Sequence, residues 1–383
     1  MKLILFVGHH KVGSSALQRW LARNAVALLR RGILYPAVEP EGLCTLLAMA
    51  LGEGGGEGGG GGGGGDRAAR IRAGDLPVNL REAHNALAFG MIAERRGTEV
   101  PALHQGLPPA DHMLTAVRRQ IEIFEPQVTI LAAEVFANFG PAPVLIQKLL
   151  AAFPGADITL VATLRRIDDY LAAWHGQRLR FGHVLPPLPE ALADYAKGIH
   201  FDYRRMLENW LRATEGAGRV IRPYDRVLAA GGSVRDFLAE TGIAPPPGAS
   251  LDEEVNRGLH RGVLELARRG NADLAPEDAR AFFAALLRLG PGLGLPASSE
   301  VELWGAAARA DLAQRFAPVH DWLSAVTGGA PFFADAARIG RTLPHPEAEV
   351  NRAALAALAR HRGELPPAAR ALLQGIEIAP NFA

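Results

Sequence analysis

Apolar positions follow two different spacings along this chain. Four short unbroken runs read as buried strands: "LILFV" (3–7), "VTILAAE" (128–134), "DITLVATLR" (157–165) and the shorter "GRVIRPY" (218–224). Elsewhere apolar residues recur every three or four positions, which is helical spacing. The segments are "SALQRWLARNAVALLRR" (15–31), "LREAHNALAFGMIAERR" (80–96), "HMLTAVRRQIEIFE" (112–125), "PAPVLIQKLLAAF" (141–153), "IDDYLAAWHGQRLR" (167–180) and "SVRDFLAETG" (233–242). "GILYP" (32–36) closes the first strand–helix unit.

Strands alternating with helices predict an α/β fold. The expectation is a P-loop-like parallel sheet flanked by helices, with a mainly helical C-terminal part from about residue 251. Only the short "PPPGAS" (245–250) sets that part off, so residues 1–383 are expected to form a single domain. "GEGGGEGGGGGGGGD" (52–66) interrupts the pattern. Polyglycine loses too much backbone entropy to hold one shape, so this tract is expected to be a disordered loop without a functional role. Ligands of parallel sheets bind beyond the carboxyl ends of the strands. That singles out "GHHKVGSS" after the first run, Glu134 at the end of the second and Arg165 at the end of the third.

Composition narrows the function classes. At 49% hydrophobic residues the chain can build a sizeable core, and a formal net charge of +1 is unlike a general nucleic-acid binder. Cys44 is the only cysteine, which excludes an intrachain disulfide and a cysteine-rich metal site. "MKLILFV" stops at "GHHK" with no small-residue cleavage site, and no run is long enough to span a bilayer. A cytoplasmic protein with no membrane span is expected.

"GHHKVGSS" has the chemistry of an anion cradle. Gly8 and Gly13 have four residues between them, as in a Walker A loop, but the lysine is Lys11, ahead of the second glycine. Gly13 lets the backbone approach a ligand closely, and the amides from Gly13 to Ala16 open a helix, where N–H groups and the dipole favour negative charge. Ser14 and Ser15 add hydroxyl donors, and Lys11 adds a point charge. A Mg-dependent NTPase would need a metal-holding Asp on a neighbouring strand. The second run ends in Glu134, and the third ends in Arg165 and Arg166, which suit a second anion better than Mg²⁺. No metal is expected. The ligand read from these residues is nucleotide-like, with two separated anionic groups.

These residues resemble a known family. "GHHKVGSSALQRWL" (8–21) is similar to the 5′-phosphosulfate loop of sulfotransferases that use 3′-phosphoadenosine 5′-phosphosulfate (PAPS), which commonly reads H-K-T-G-[ST]-[ST]. "TLRRIDDYLAAWHGQRLRFG" (163–182) resembles their 3′-phosphate segment, an Arg at a strand end with a Ser eight residues later. The stretches 202–243, 256–272 and 315–333 also resemble later parts of bacterial members. The resemblance implies that Lys11, Gly13, Ser14 and Ser15 hold the 5′-phosphosulfate and that Arg165 pairs with the 3′-phosphate. It implies sulfuryl transfer from PAPS to a hydroxyl of a sugar, glycolipid or small metabolite. Two positions depart from the pattern: Val12 replaces the usual Thr, and Ala173 the usual Ser.

Lys11 is the candidate to stabilise the leaving oxygen. Glu134 is the first candidate for the base that takes the acceptor proton, and it resembles the Glu of an "S-S-E" segment, here "AAE". An ion pair with Arg165 or Arg166 is its alternative role. His10 is the second candidate base, followed by His9 and then His84. Asp168 and Asp169 suit a helix start, Tyr170 and Trp174 a core-facing helix side, and Arg178 and Arg180 a solvated one. Two other functions fit parts of the pattern. One is a P-loop nucleotide kinase or NTPase. The other is a catalytically weakened nucleotide-binding protein on the sulfotransferase fold, which Val12 and Ala173 favour.

Overall fold

The four apolar runs and a segment of "GILYP" pair side by side: β1 (Lys2–Phe6), β2 (Ile33–Leu34), β3 (Val128–Ala132), β4 (Asp157–Leu164) and β5 (Gly218–Pro223). All neighbours are parallel, in the order β2-β3-β1-β4-β5. Central β1 is buried from Leu3 onward because it is paired on both edges and covered on both faces. Its register aligns Phe6 with Ala132 of β3 and with Val161 of β4. The expected α/β architecture with a parallel sheet flanked by helices is therefore present, and "GILYP" supplies a two-residue outer strand. The computed structural model describes residues 1–54, 76–252 and 258–378. From residue 55 on, the glycine tract lies outside them.

The strand order reverses direction between β1 and β4. The chain leaves β1 toward β2 on one side of the sheet and leaves β4 toward β5 on the other. Adjacent strands whose connections diverge form a topological switch point, the usual ligand position in such sheets. The β1–β4 edge is that point here.

Local chemistry trims the helices that sequence periodicity runs together. α1 (Ser14–Arg23) stops at Asn24, whose side-chain amide bonds back to the Trp20 carbonyl at 2.8 Å, and a short helix resumes at Ala25. The 80–96 segment divides at Glu82, where φ is −125° and ψ is 41°, so α2 runs Ala83–Arg96. Three further helices matter below: α3 (Ile167–Arg180), α4 (Ser233–Thr241) and α5 (Gly305–Val326).

The chain forms two compact units. The first, Met1–Arg165 with Arg205–Val255, holds the sheet. Its core joins strand residues Ile4, Phe6 and Ile130 to Trp20 of α1, Phe237 of α4 and, in the loop after β1, Val12. The second, Arg166–Arg204 with Asn256–Ala383, is mainly helical among its described residues. It contains one short parallel pair, β6 (Val301–Glu302) and β7 (His345–Pro346). Phe316 of α5 anchors an aromatic cluster there with Phe201, Tyr203 and Phe333.

Candidate functional site

The loop after β1 packs closely against β4. It stays bonded to β4 beyond the strand end: Val7 N–H donates to Val161 O at 2.9 Å and His9 N–H to Thr163 O at 3.3 Å. Gly8 lies so near β4 that a Cβ would stand 2.5 Å from the Thr163 nitrogen, so glycine is required. The chain then turns through two left-handed residues, Lys11 (φ 62°) and Gly13 (φ 84°). Among the described residues only Lys11 and Glu125 are non-glycines with positive φ. That conformation costs on the order of 1–3 kcal/mol, and such strain clusters where ligands bind.

Gly13 is the N-cap of α1 and brings no side-chain cap. Its carbonyl accepts the N–H groups of Ala16 (3.0 Å) and Leu17 (3.2 Å) and the Ser233 hydroxyl (2.9 Å), which locks the turn against α4. The N–H groups of Ser14 and Ser15 are first-turn groups that helix geometry leaves without an intrahelical acceptor. No acidic residue stands in that first turn. The helix end is therefore open to an anion in charge and hydrogen bonding. Ser14 is buried and Ser15 half-buried. The Val12 side chain is 1% exposed and belongs to the apolar core.

The three histidines fall into different roles. Half-buried His10 is lowered to about 4, by burial and then by the Lys11 charge, so it is neutral near pH 7. His84 is fully buried, and its Nδ1 accepts the Ala132 N–H at 3.0 Å. Burial lowers it to about 3, so it pins the end of β3 as a neutral ring. His9, a residue of the loop itself, is fully buried.

Glu134 opens a 3₁₀ turn, Glu134–Phe139, two residues beyond β3. Its carboxylate is gripped by two neutral amides. Gln18 of α1 donates to Oε2 at 2.9 Å, and Asn85 of α2 donates to Oε1 at 3.2 Å. Gln18 also reaches the Ala132 carbonyl at 3.0 Å, and Asn85 lies 3.4 Å from a Glu82 oxygen. Sequence reading missed both amides, although one signal was available. Gln18 interrupts the apolar face that Leu17 and Leu21 define, one turn after Ser14.

Arg165 follows β4 directly and is half-buried, its guanidinium carbon 5.5 Å from the centroid of the Tyr224 ring just beyond β5. The neighbouring Arg166, in the second unit, is used differently. Asp168 binds it at 2.7 and 3.0 Å, Asp169 at 3.2 Å, and Asp335 also pairs with it. Asp168 and Asp169 are thus ion-pair partners in a buried network as well as residues of a helix start. Tyr170 is wholly buried, as its spacing predicts, whereas Trp174 is half-buried and stacks on His200 with centroids 3.9 Å apart. Ala173 lies on the same helix, half-buried.

Strand adjacency brings three of the expected groups to one edge of the sheet. The Lys11–Ser15 turn, Glu134 and Arg165 all leave the carboxyl ends of β1, β3 and β4, which are neighbours. Gln18 joins Glu134 directly to the helix that begins at Ser14. Among the described residues, no group of three or more His, Cys, Asp or Glu side chains is arranged to hold a metal ion. None of their helices is long and apolar enough to cross a membrane. Compared with known proteins, the chain matches no family model, no curated protein and no solved structure.

Proposed function

We propose that this protein is a PAPS-dependent sulfotransferase acting on a hydroxyl of a sugar, glycolipid or small metabolite, on a P-loop-like fold. The observation that carries the reading is the turn after β1, a left-handed lysine and an uncapped, acid-free helix start at the switch point. The residues fit the donor's two anionic groups. Lys11, the Ser14 and Ser15 N–H groups and their hydroxyls would hold the 5′-phosphosulfate, and Arg165 would hold the 3′-phosphate. When bound, the donor supplies an activated sulfuryl group and a leaving phosphate oxygen. Lys11 offsets charge at that oxygen, and Glu134 accepts the proton of the attacking hydroxyl. His10 is the weaker base, because its low proton affinity gives little driving force for proton abstraction.

Thermal unfolding with adenosine 3′,5′-bisphosphate tests the donor site. A ligand at about 100 times its Kd stabilises by roughly 2.7 kcal/mol, which raises Tm by several degrees in a chain of this size. The expected result is that shift with the bisphosphate and none with Mg-ATP. A shift with Mg-ATP alone would move the reading to a kinase or NTPase, and no shift with either would overturn the donor site. Replacing Lys11 with Ala is expected to lower PAPS turnover about 100-fold or more while leaving Tm without ligand nearly unchanged.

A further inference from the structure

Helix α1 carries two functions at successive turns of one face. Ser14 lies in its open first turn, and Gln18, four residues later, grips Glu134. The grip is specific in its polarity. Gln18 Nε2 meets three acceptors, Glu134 Oε2 (2.9 Å), Ala132 O (3.0 Å) and Asn85 Oδ1 (3.3 Å). Asn85 Nδ2 also meets three, Glu134 Oε1 (3.2 Å), Gln18 Oε1 (3.4 Å) and Glu82 Oε2 (3.4 Å). A flipped amide in either residue would set its oxygen against a carboxylate oxygen, so the carboxylates fix both orientations. Gln18 and Asn85 are buried, so water cannot readily take over their donors.

We infer that Gln18 and Asn85 are positioning residues for the sulfuryl transfer proposed above. Together they hold the Glu134 carboxylate in one orientation relative to the anion-binding turn, so that one rigid helix aligns donor and base. Two neutral donors orient a carboxylate and lower its basicity less than the full charge of a paired arginine would. Arg81 contacts the nearby Glu82 at 3.2 Å and so partly balances the second carboxylate of the cluster. In-line transfer depends steeply on alignment, and a misplacement of about 1 Å can cost 100-fold in rate. The inference rests on the sulfotransferase reading, and its test separates the two.

The test uses the full chain and PAPS hydrolysis, with water as the acceptor, so that no unidentified acceptor is needed. Gln18→Met and Asn85→Leu, each close to isosteric, are compared with the unsubstituted protein. Three quantities are read: Tm, the Tm shift with adenosine 3′,5′-bisphosphate, and the pH–rate profile. The expected result is a bisphosphate shift kept in both variants, with kcat falling 10- to 100-fold, KM for PAPS within about threefold, and the acid limb of the profile moved to higher pH. Gln18→Glu, which sets a second carboxylate against Glu134, is expected to move that limb further in the same direction. If the unsubstituted protein binds the bisphosphate and hydrolyses PAPS, and the variants keep kcat and profile, positioning is overturned and the sulfotransferase reading stands. Equal loss of bisphosphate binding and turnover would assign the amides a structural role and also overturn it. If the unsubstituted protein shows no bisphosphate shift, both readings fall together. Should Gln18→Met not fold, Asn85→Leu carries the same comparison from the other carboxylate oxygen.

Discussion

Glu134 and Asp168 follow neighbouring strands in sequence and open helical segments, yet the two carboxylates are held in opposite ways. Asp168, in the second unit, is met by guanidinium groups: Arg166 at 2.7 and 3.0 Å and Arg309 at 3.4 Å. Glu134, in the first unit, is met by the amides of Gln18 and Asn85, and no ion pair involves it among the described residues. A carboxylate locked between arginines is neutralised and serves as structure. A carboxylate oriented by neutral donors keeps its charge and can take a proton. The identity of the donor therefore separates a structural acid from a candidate base, although both are partly or wholly removed from water.

The strongest break in this comparison is Asp168→Ala. It would take one partner each from Arg309, 1% exposed, which keeps Glu302, and from Arg166, which keeps Asp169, and breaking a buried pair costs up to about 3–5 kcal/mol. Urea unfolding should show that loss in the transition that reports the second unit. Glu134→Gln should behave in the opposite way. The amide keeps an acceptor for Gln18 or Asn85 but not for both, so stability should fall by about 1–3 kcal/mol, while PAPS turnover falls roughly 100- to 10,000-fold. A Glu134→Gln variant that unfolds like Asp168→Ala and keeps its turnover would erase the distinction.

Acid should weaken both regions through their buried histidines. His84, beside Glu134's strand, is lowered to about 3 and His175 of α3 to about 4, in both cases mainly by burial. A histidine with a depressed folded value binds fewer protons than the unfolded chain. The stability it contributes is complete above pH 6.5 and is lost as pH falls from about 6.5 toward 4, at roughly 1.4 kcal/mol per pH unit per histidine. Urea midpoints at pH 7, 5.5 and 4.5 should fall in that order, and His84→Gln should flatten the slope for the first unit. The smallest effect concerns Val12. Introducing a hydroxyl with Val12→Thr would bury it in the apolar core and should cost about 1–2 kcal/mol, read from the same urea curves. A gain in stability there would mean that the hydroxyl finds a partner in the loop after β1.

Much of the first unit was legible because its signals are local. Unbroken apolar runs gave the four longer strands to within one or two residues, since strands buried on both faces carry no alternation to confuse with helix. The Gly8–Ser15 turn was legible because its glycines and its lysine lie within eight positions. The breaks at Asn24 and Glu82 were not, because each depends on one residue leaving helical φ and ψ inside an apolar pattern that continues. β6 and β7 escaped for a plainer reason, as two-residue strands have no period to read. Tyr224 reads as the end of a strand, and nothing local indicates that Arg165 lies over its ring.

Sequence alone determined the alternation of strands and helices, the burial of β1 and the chemistry of the loop that follows it, because each depends on neighbours a few positions apart. Only the tertiary structure decided which strands adjoin and which polar side chains meet. Gln18 is 116 positions from Glu134 and 67 from Asn85, yet their amides and carboxylate lie within hydrogen-bond reach. Hydrogen bonds act over about 3 Å and demand alignment. Whether a buried Glu meets an amide or a guanidinium is therefore set by the packing of separate elements, and no spacing along the chain encodes it.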